Sequence, residues 1–211
     1  MGYNIVFEGI DGCGKDSQAD LLAHYLTGPE HHPLRINEPC NDLPTGQLLR
    51  QFLASGAYPQ AHAALFLADR MALQHTRILP ALQAGADVIS VRSFVSTLAY
   101  QQEQWPLQYL FDIHRMLPAK PDVIFILDVD PEVGLERIAT RGGKREYYEA
   151  LDFQRRNRQR YLDLATDPRM KDMLADGGRI IVLDSTLVTA NDLHETVKIM
   201  LAGCRGIKEG F

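Results

Sequence analysis

Five short apolar runs punctuate the chain: Ile5 to Phe7, Leu34 to Ile36, Val88 to Val91, Val123 to Leu127 and Ile180 to Leu183. Most lack polar alternation, the pattern of parallel strands covered on both faces. Between them the spacing turns helical. Ala19 to Leu26 follows the first run. Ala61 to Leu82 is long and rich in Ala and Leu, with Pro80 placed to kink it near its end. Ser93 to Gln104 stops before Pro106, and Pro131 opens a segment to Thr140 with Asp130 as its cap. Proline suits a first helical turn because its missing N–H has no partner there anyway. Leu151 to Leu164 and Asp192 to Met200 complete the set. Strands alternating with helices predict right-handed crossovers and one parallel sheet. The expected fold class is therefore α/β, a three-layer arrangement with five parallel strands flanked by helices.

The chain has 211 residues, which fits a single domain over 1–211. No internal repeat or low-complexity linker divides it. The most loop-like polar stretch is Arg141-Gly142-Gly143-Lys144-Arg145-Glu146. It reads as a mobile flap at about 141–150, or as an ordinary solvated connection. Hydrophobic residues make up 45%, enough for a core, and the formal net charge is -5. That charge disfavours a nucleic acid polymer as partner, since neutralising a phosphate backbone needs a basic surface. A single nucleotide needs only a local cluster of cations.

Cys13, Cys40 and Cys204 are widely spaced and make neither a metal pattern nor a disulfide framework. Residues 1–15 carry Glu8 and Asp11 and lack the basic and apolar regions of a signal peptide. No run approaches the roughly 20 apolar residues needed to span a bilayer. The expectation is a cytoplasmic protein with no membrane partner.

Chemistry concentrates in Asn4-Ile5-Val6-Phe7-Glu8-Gly9-Ile10-Asp11-Gly12-Cys13-Gly14-Lys15-Asp16-Ser17. A buried strand runs into a glycine-rich turn and then a helix start. Gly9, Gly12 and Gly14 let backbone amides approach a polyphosphate, and the helix N-terminus adds its positive end. Lys15 then bridges the β- and γ-phosphoryl oxygens of such a polyphosphate. The phosphate-loop pattern closes on Ser or Thr after the lysine, whose hydroxyl holds magnesium. Here Asp16 stands at that place and Ser17 follows one residue late. Asp16 is a stronger anionic ligand, and it repels phosphate unless Mg2+ lies between them.

Further motifs extend the pattern. They are Asn37-Glu38-Pro39, Gly46 to Arg50, Leu65-Phe66-Leu67-Ala68-Asp69-Arg70, and Arg92, Ser96, Ala99, Tyr100 and Gln101. Pro121-Asp122-Val123 through Leu127-Asp128-Val129-Asp130-Pro131 follows, then Arg145, Glu149, Phe153, Arg158 and Tyr161. In this order and spacing, together with the opening run, the sequence resembles the thymidylate kinases, nucleoside monophosphate kinases of the P-loop kinase fold. The likeness covers nearly the whole chain.

The resemblance implies transfer of the ATP γ-phosphoryl group to dTMP, with Mg2+. It assigns the segment from Gly9 to Ser17, including Asp11 and Cys13, to the donor nucleotide, whose base is expected near Ser185 to Leu187. It also gives Asp11 the deoxyribose 3′-hydroxyl. Phe66 would stack on the acceptor base and Arg70 would hydrogen-bond its edge. Arg92, with Arg50, would hold the acceptor phosphate. Tyr100 would crowd the 2′ position, and Ser96, Thr97 and Gln101 would line the same pocket. A homodimer is also implied. Read from the residues alone, Phe66 and Tyr100 are also compatible with packing, and Arg70 with an ion pair to neighbouring Asp69 or to a surface acid.

Cys13 is neutral where some members carry a loop arginine. The chain is similar to those that supply this cation from the flap, with Arg145 first and Arg137, Arg141 and Lys144 as alternatives. Lys15, Arg92 and Arg145 are then the catalytic cations. Arg155, Arg156, Arg158 and Arg160 share one helical stretch and cannot all face one phosphate, so pairing with acids is expected of some.

Two departures coincide. Asp16 replaces the hydroxyl, and Val91 replaces the aspartate that precedes Arg92 in the family; Ser93 replaces an aromatic or histidine. Asp16 as metal ligand would restore the lost carboxylate from another side. A kinase for another nucleoside monophosphate, or a nucleotide-binding homologue with weakened transfer, remains the alternative.

Overall fold

The computed structural model describes residues 2–140 and 147–208, with backbone alone at 147–150 and 207–208. Each apolar run is a strand: β1 (Asn4–Glu8), β2 (Leu34–Asn37), β3 (Val88–Val91), β4 (Val123–Asp128) and β5 (Arg179–Asp184). They form one sheet in the order β2-β3-β1-β4-β5, and every pairing is parallel. β1 is buried along its whole length. Phe7 lies in register with Val91 on one side and Phe125 on the other, and the Phe7 and Phe125 rings stack at 5.3 Å.

The described helices are α1 (Lys15–Leu26), α2 (Pro44–Ser55), α3 (His62–Leu73), α4 (Leu79–Gln83), α5 (Phe94–Tyr100), α6 (Leu107–His114), α7 (Pro131–Ala139), α8 (Tyr147–Thr166) and α9 (Ala190–Lys208). The crossover from β1 to β2 runs one way along the sheet, and every later crossover runs the other way. Right-handed connections therefore put α1 on one face and the helices of the later crossovers on the other. α9 returns to pack beside α1, while α5 and α8 pack together on the second face. The chain direction reverses beside β1, so the crevice at the carboxyl ends of β1 and β3 is where an open α/β sheet binds ligands.

Several helices differ in extent from the sequence expectation. The Ala61 to Leu82 pattern is α3 and α4 joined by a π turn at Gln74–Ile78. Pro80 has no N–H to give the carbonyl one turn back, and the ladder is irregular just upstream of it. The pattern from Ser93 ends at Tyr100, with Gln101 as C-cap. Pro106, read as a stop, is the N-cap of α6. α2 and α6 escaped the periodicity reading altogether.

Of the expected flap, residues 141–146, including Arg141, Lys144 and Arg145, lie outside the described residues, and 147–150 begin α8. No described helix is long and apolar enough to cross a membrane.

Candidate active site

The phosphate loop runs from the carboxyl end of β1 to the first turn of α1, where left-handed Gly14 is the N-cap. Gly12 has φ +83, and a Cβ there would stand 2.2 Å from the Gly134 carbonyl oxygen of α7. Only glycine lets loop and helix meet so closely. Arg137, also on α7, donates to the carbonyls of Gly12 at 3.3 Å, Ser185 at 2.9 Å and Thr186 at 3.0 Å. This alternative flap cation is thus a brace between the loop and the segment after β5. Between them lies a cavity of about 160 Å³, lined by Gly12, Cys13, Gly14, Gln18, Ser185 and Val188 among others. The donor base was expected along this segment. Burial pushes the Cys13 thiol up, so it stays neutral.

Lys15 is buried, and its ammonium donates to the Ile10 carbonyl at 3.2 Å and to Asp11 Oδ1 at 3.4 Å. The same Asp11 oxygen accepts from Arg92 Nη2 at 2.5 Å. One carboxylate thus gathers the cation of the phosphate loop and the arginine just past β3. Arg92 is held with φ +70, a backbone conformation costly for a non-glycine residue and found mainly at functional sites. Its Nη1 donates to Ser96 Oγ at 3.2 Å.

Behind this pair, Glu8 is fully buried at the end of β1. It accepts from Ser93 Oγ at 2.8 Å, Ser96 N at 3.1 Å, Ser96 Oγ at 2.7 Å and Tyr161 Oη at 3.0 Å. Ser93 Oγ also accepts from Val95 N as the cap of α5. The departure at Ser93 therefore has a structural reason: it starts the helix and satisfies the buried carboxylate. The charge of Glu8 is held by four donors, as burial demands.

The residues expected to form the acceptor wall come from the segment just after β2 and from α3, α5 and α6. Arg70 is buried and does not pair with Asp69. Its Nε donates to Glu38 at 2.6 Å, and its Nη1 lies 2.9 Å from His114 Nε2 and 3.5 Å from Thr97 Oγ1. Asp69 instead accepts from Cys40 N and Thr45 Oγ1, pinning the loop after β2 to α2. Gly46 permits that contact, since a Cβ there would meet the Cys40 carbonyl oxygen at 1.9 Å. Burial pushes the Glu38 carboxyl up to about 7 despite Arg70. Burial, then the Arg70 charge, pull His114 down to about 3.

Phe66 sits one turn before Arg70, half-buried, and joins neither apolar cluster among the described residues. Tyr100 has the Arg92 guanidinium 5.5 Å from its ring centroid and the Phe153 ring at 5.7 Å. Burial raises its hydroxyl to about 12. Ser96, Thr97 and Gln101 are buried beside it on α5 and at its C-cap. Arg50 is exposed on α2, donating to the Pro39 carbonyl at 3.1 Å, with no direct contact to Arg92 among the described residues.

Asp16 is exposed in the first turn of α1, 3.7 Å from Arg35, which also donates to Asp20 at 2.9 Å. Ser17 is half-buried. Val91 is part of the main apolar cluster and offers no ligand atom. The arginines of α8 are paired with acids: Arg158 with Asp128, Arg155 with Glu132, and Arg156 and Arg160 with Glu103.

Reasoning from the sequence had missed Glu38 and His114 as partners of Arg70, and Arg35 as partner of Asp16. A buried arginine needs a compensating carboxylate, and Glu38 in the Asn37-Glu38-Pro39 motif was the available signal. His114 carried none.

Comparison with known proteins agrees with this geometry. The thymidylate kinase profile matches residues 7–178. A probable thymidylate kinase of Thermococcus kodakarensis is 37% identical over 202 residues, covering 87% of this chain and 98% of that protein. The thymidylate kinase of Carboxydothermus hydrogenoformans is 36% identical over 178 residues, covering 81% and 87%. A phosphate loop facing a guanidinium pocket across Asp11, with the profile spanning most of the sequence, places the chain in the thymidylate kinase family.

Proposed function

We propose that this chain transfers the γ-phosphoryl group of ATP to dTMP, giving dTDP and ADP. The observation that carries the reading is the shared Asp11 carboxylate between Lys15 and Arg92. A polyphosphate on the loop amides and a monophosphate on Arg92 would then lie close enough for direct, in-line transfer. Lys15 draws charge from the transferring group, and Arg92 holds the attacking phosphate against its repulsion. Holding both reactants together supplies much of the barrier reduction, so no covalent intermediate is required. Asp11 is then released to the sugar hydroxyl, Phe66 stacks on the base, and Tyr100 limits the 2′ position. Arg145 supplies the remaining cation from the flap, and Arg50 assists Arg92.

Magnesium fits the donor set. It prefers oxygen ligands and usually binds through one or two carboxylates, substrate phosphates and water. No cluster of three metal-binding side chains occurs among the described residues, so Asp16, with Ser17 beside it, would hold the ion together with phosphate oxygens. The ion would neutralise phosphate charge. The apolar burial of Val91 favours the second reading, a homologue that binds nucleotide and transfers weakly.

A phosphoryl-transfer panel across ribo- and deoxynucleoside monophosphates, with and without magnesium, tests the proposal. Preferential dTMP conversion supports it, and preference for another acceptor replaces it. Tight binding without turnover establishes the second reading. A cytoplasmic homodimer completes the proposal, and sedimentation of the purified chain checks the dimer.

A further inference from the structure

Arg70 has five N–H donors in a rigid fork. The Nε–H goes to Glu38 at 2.6 Å, and Nη1 meets His114 Nε2 at 2.9 Å. Nη2 makes no hydrogen bond among the described residues. A cation can meet an imidazole nitrogen at that distance only if the nitrogen is a bare acceptor. The other ring nitrogen fixes this state, because His114 Nδ1 lies 2.7 Å from the Leu110 carbonyl, an obligate acceptor. The proton is therefore on Nδ1 and the lone pair on Nε2 faces the guanidinium. Both His114 and Arg70 are almost wholly buried, so neither bond is exchanged for water.

We infer that His114 is a positioning residue for the base-reading arginine. Its neutral imidazole and the Glu38 carboxylate hold two corners of the fork and leave the Nη2 donors for an acceptor base. Donors alone at that corner fit a pyrimidine bearing a keto oxygen and oppose one bearing an amino group at the same place. The inference rests on the proposed function for the identity of the base. The lock itself is a property of the free protein.

Three variants separate positioning from packing. His114→Gln carries an amide oxygen to about the position of Nε2. His114→Asn stops one bond short, near Nδ1. His114→Leu keeps an apolar volume and removes the acceptor. Leu and Asn are expected to raise KM for dTMP roughly tenfold, as for loss of a hydrogen bond to a charged group. They should also lower the preference for dTMP over dCMP, with KM for ATP unchanged. Gln should stay near wild type in both.

In the ligand-free protein, slow rotation of the Arg70 guanidinium, read from its Nη signals by 15N NMR, should persist in Gln and be lost in Leu and Asn. Equal KM values for Gln and Asn, or an unchanged Arg70 signal in both Asn and Leu, would overturn the inference. If Leu does not fold, the Gln and Asn pair decides. If the wild type does not convert dTMP, the functional reading fails, and the NMR comparison still judges the lock.

Discussion

The proposed donor cradle comes from one continuous stretch, Glu8 to Gln18, braced from behind by Gly134 and Arg137. The proposed acceptor wall is collected from Glu38, Phe66, Arg70, Arg92, Tyr100 and His114, which lie as far as 76 residues apart in sequence (38 to 114). The cradle works through backbone amides, so its demands fall on glycine and on local conformation. The wall works through side chains whose charges must be balanced by partners from other elements. Damage to the cradle should therefore remove chemistry while sparing the fold. Damage to the wall should be felt in stability as well as in binding.

The largest effect expected is on transfer. Lys15→Ala should lower kcat by roughly 10²–10³-fold, as loss of one positioned charge-stabilising group does, with the thermal midpoint nearly unchanged. A comparable loss of stability in that variant would break the contrast between the two regions.

Next comes Glu8, which belongs to the cradle by sequence and to the wall by contact. Glu8→Ala removes the acceptor that the hydroxyls of Ser93, Ser96 and Tyr161 share in the core. It should cost about 2–4 kcal/mol in denaturant unfolding, and Glu8→Gln less.

The Arg70 cluster should make stability depend on pH. Folded His114 binds its proton more weakly than the unfolded chain does, about 3 against the ordinary 6.5. Its contribution is therefore complete above about pH 6.5 and is lost as pH falls toward 3. At pH 4 this amounts to about 3 kcal/mol. Glu38 acts in the opposite sense, since its folded carboxyl titrates at about 7 against the ordinary 4.5. Its burial lowers stability as pH rises from about 4.5 to 7. Unfolding measured from pH 4 to 8 should show a shallower acid limb in His114→Gln and a shallower neutral limb in Glu38→Gln. Unchanged limbs would show that the cluster does not set them.

The smallest expected effect on stability is at Asp16. Asp16→Ser removes an acid from a helix N-terminus and an exposed ion pair to Arg35, worth less than about 1 kcal/mol. Magnesium-dependent transfer should nevertheless fall. A faster variant of equal stability would remove Asp16 from the metal site.

These contrasts parallel what could be read from residues alone. β1, β3 and β4 were legible because both faces of an inner parallel strand are buried, which writes continuous apolar runs. The edge strands β2 and β5 are only partly buried and were legible from shorter apolar stretches. The phosphate loop was legible because its geometry is local and only glycines at fixed intervals permit it. α2 was missed although Pro44 at its first position is a start signal. Thr45 and Gly46 are poor helix formers, and in the fold Thr45 bonds Asp69 while Gly46 lies against the Cys40 carbonyl. Arg70 was assigned a base-reading role, but its nearest acid in sequence was not its partner. The pairing of Glu38 with Arg70 depends on how the carboxyl end of β2 meets α3.

Local conformation and burial pattern, encoded residue by residue, thus determined the strand–helix alternation, the nest of amides and the cation behind it. Which carboxylate neutralises which guanidinium was decided only when the crossovers brought distant elements together. Charges in a low-dielectric interior are satisfied by whatever stands within hydrogen-bond reach, and that proximity is a property of the packed chain. Asp11 between Lys15 and Arg92, and Glu38 with His114 around Arg70, are products of that packing.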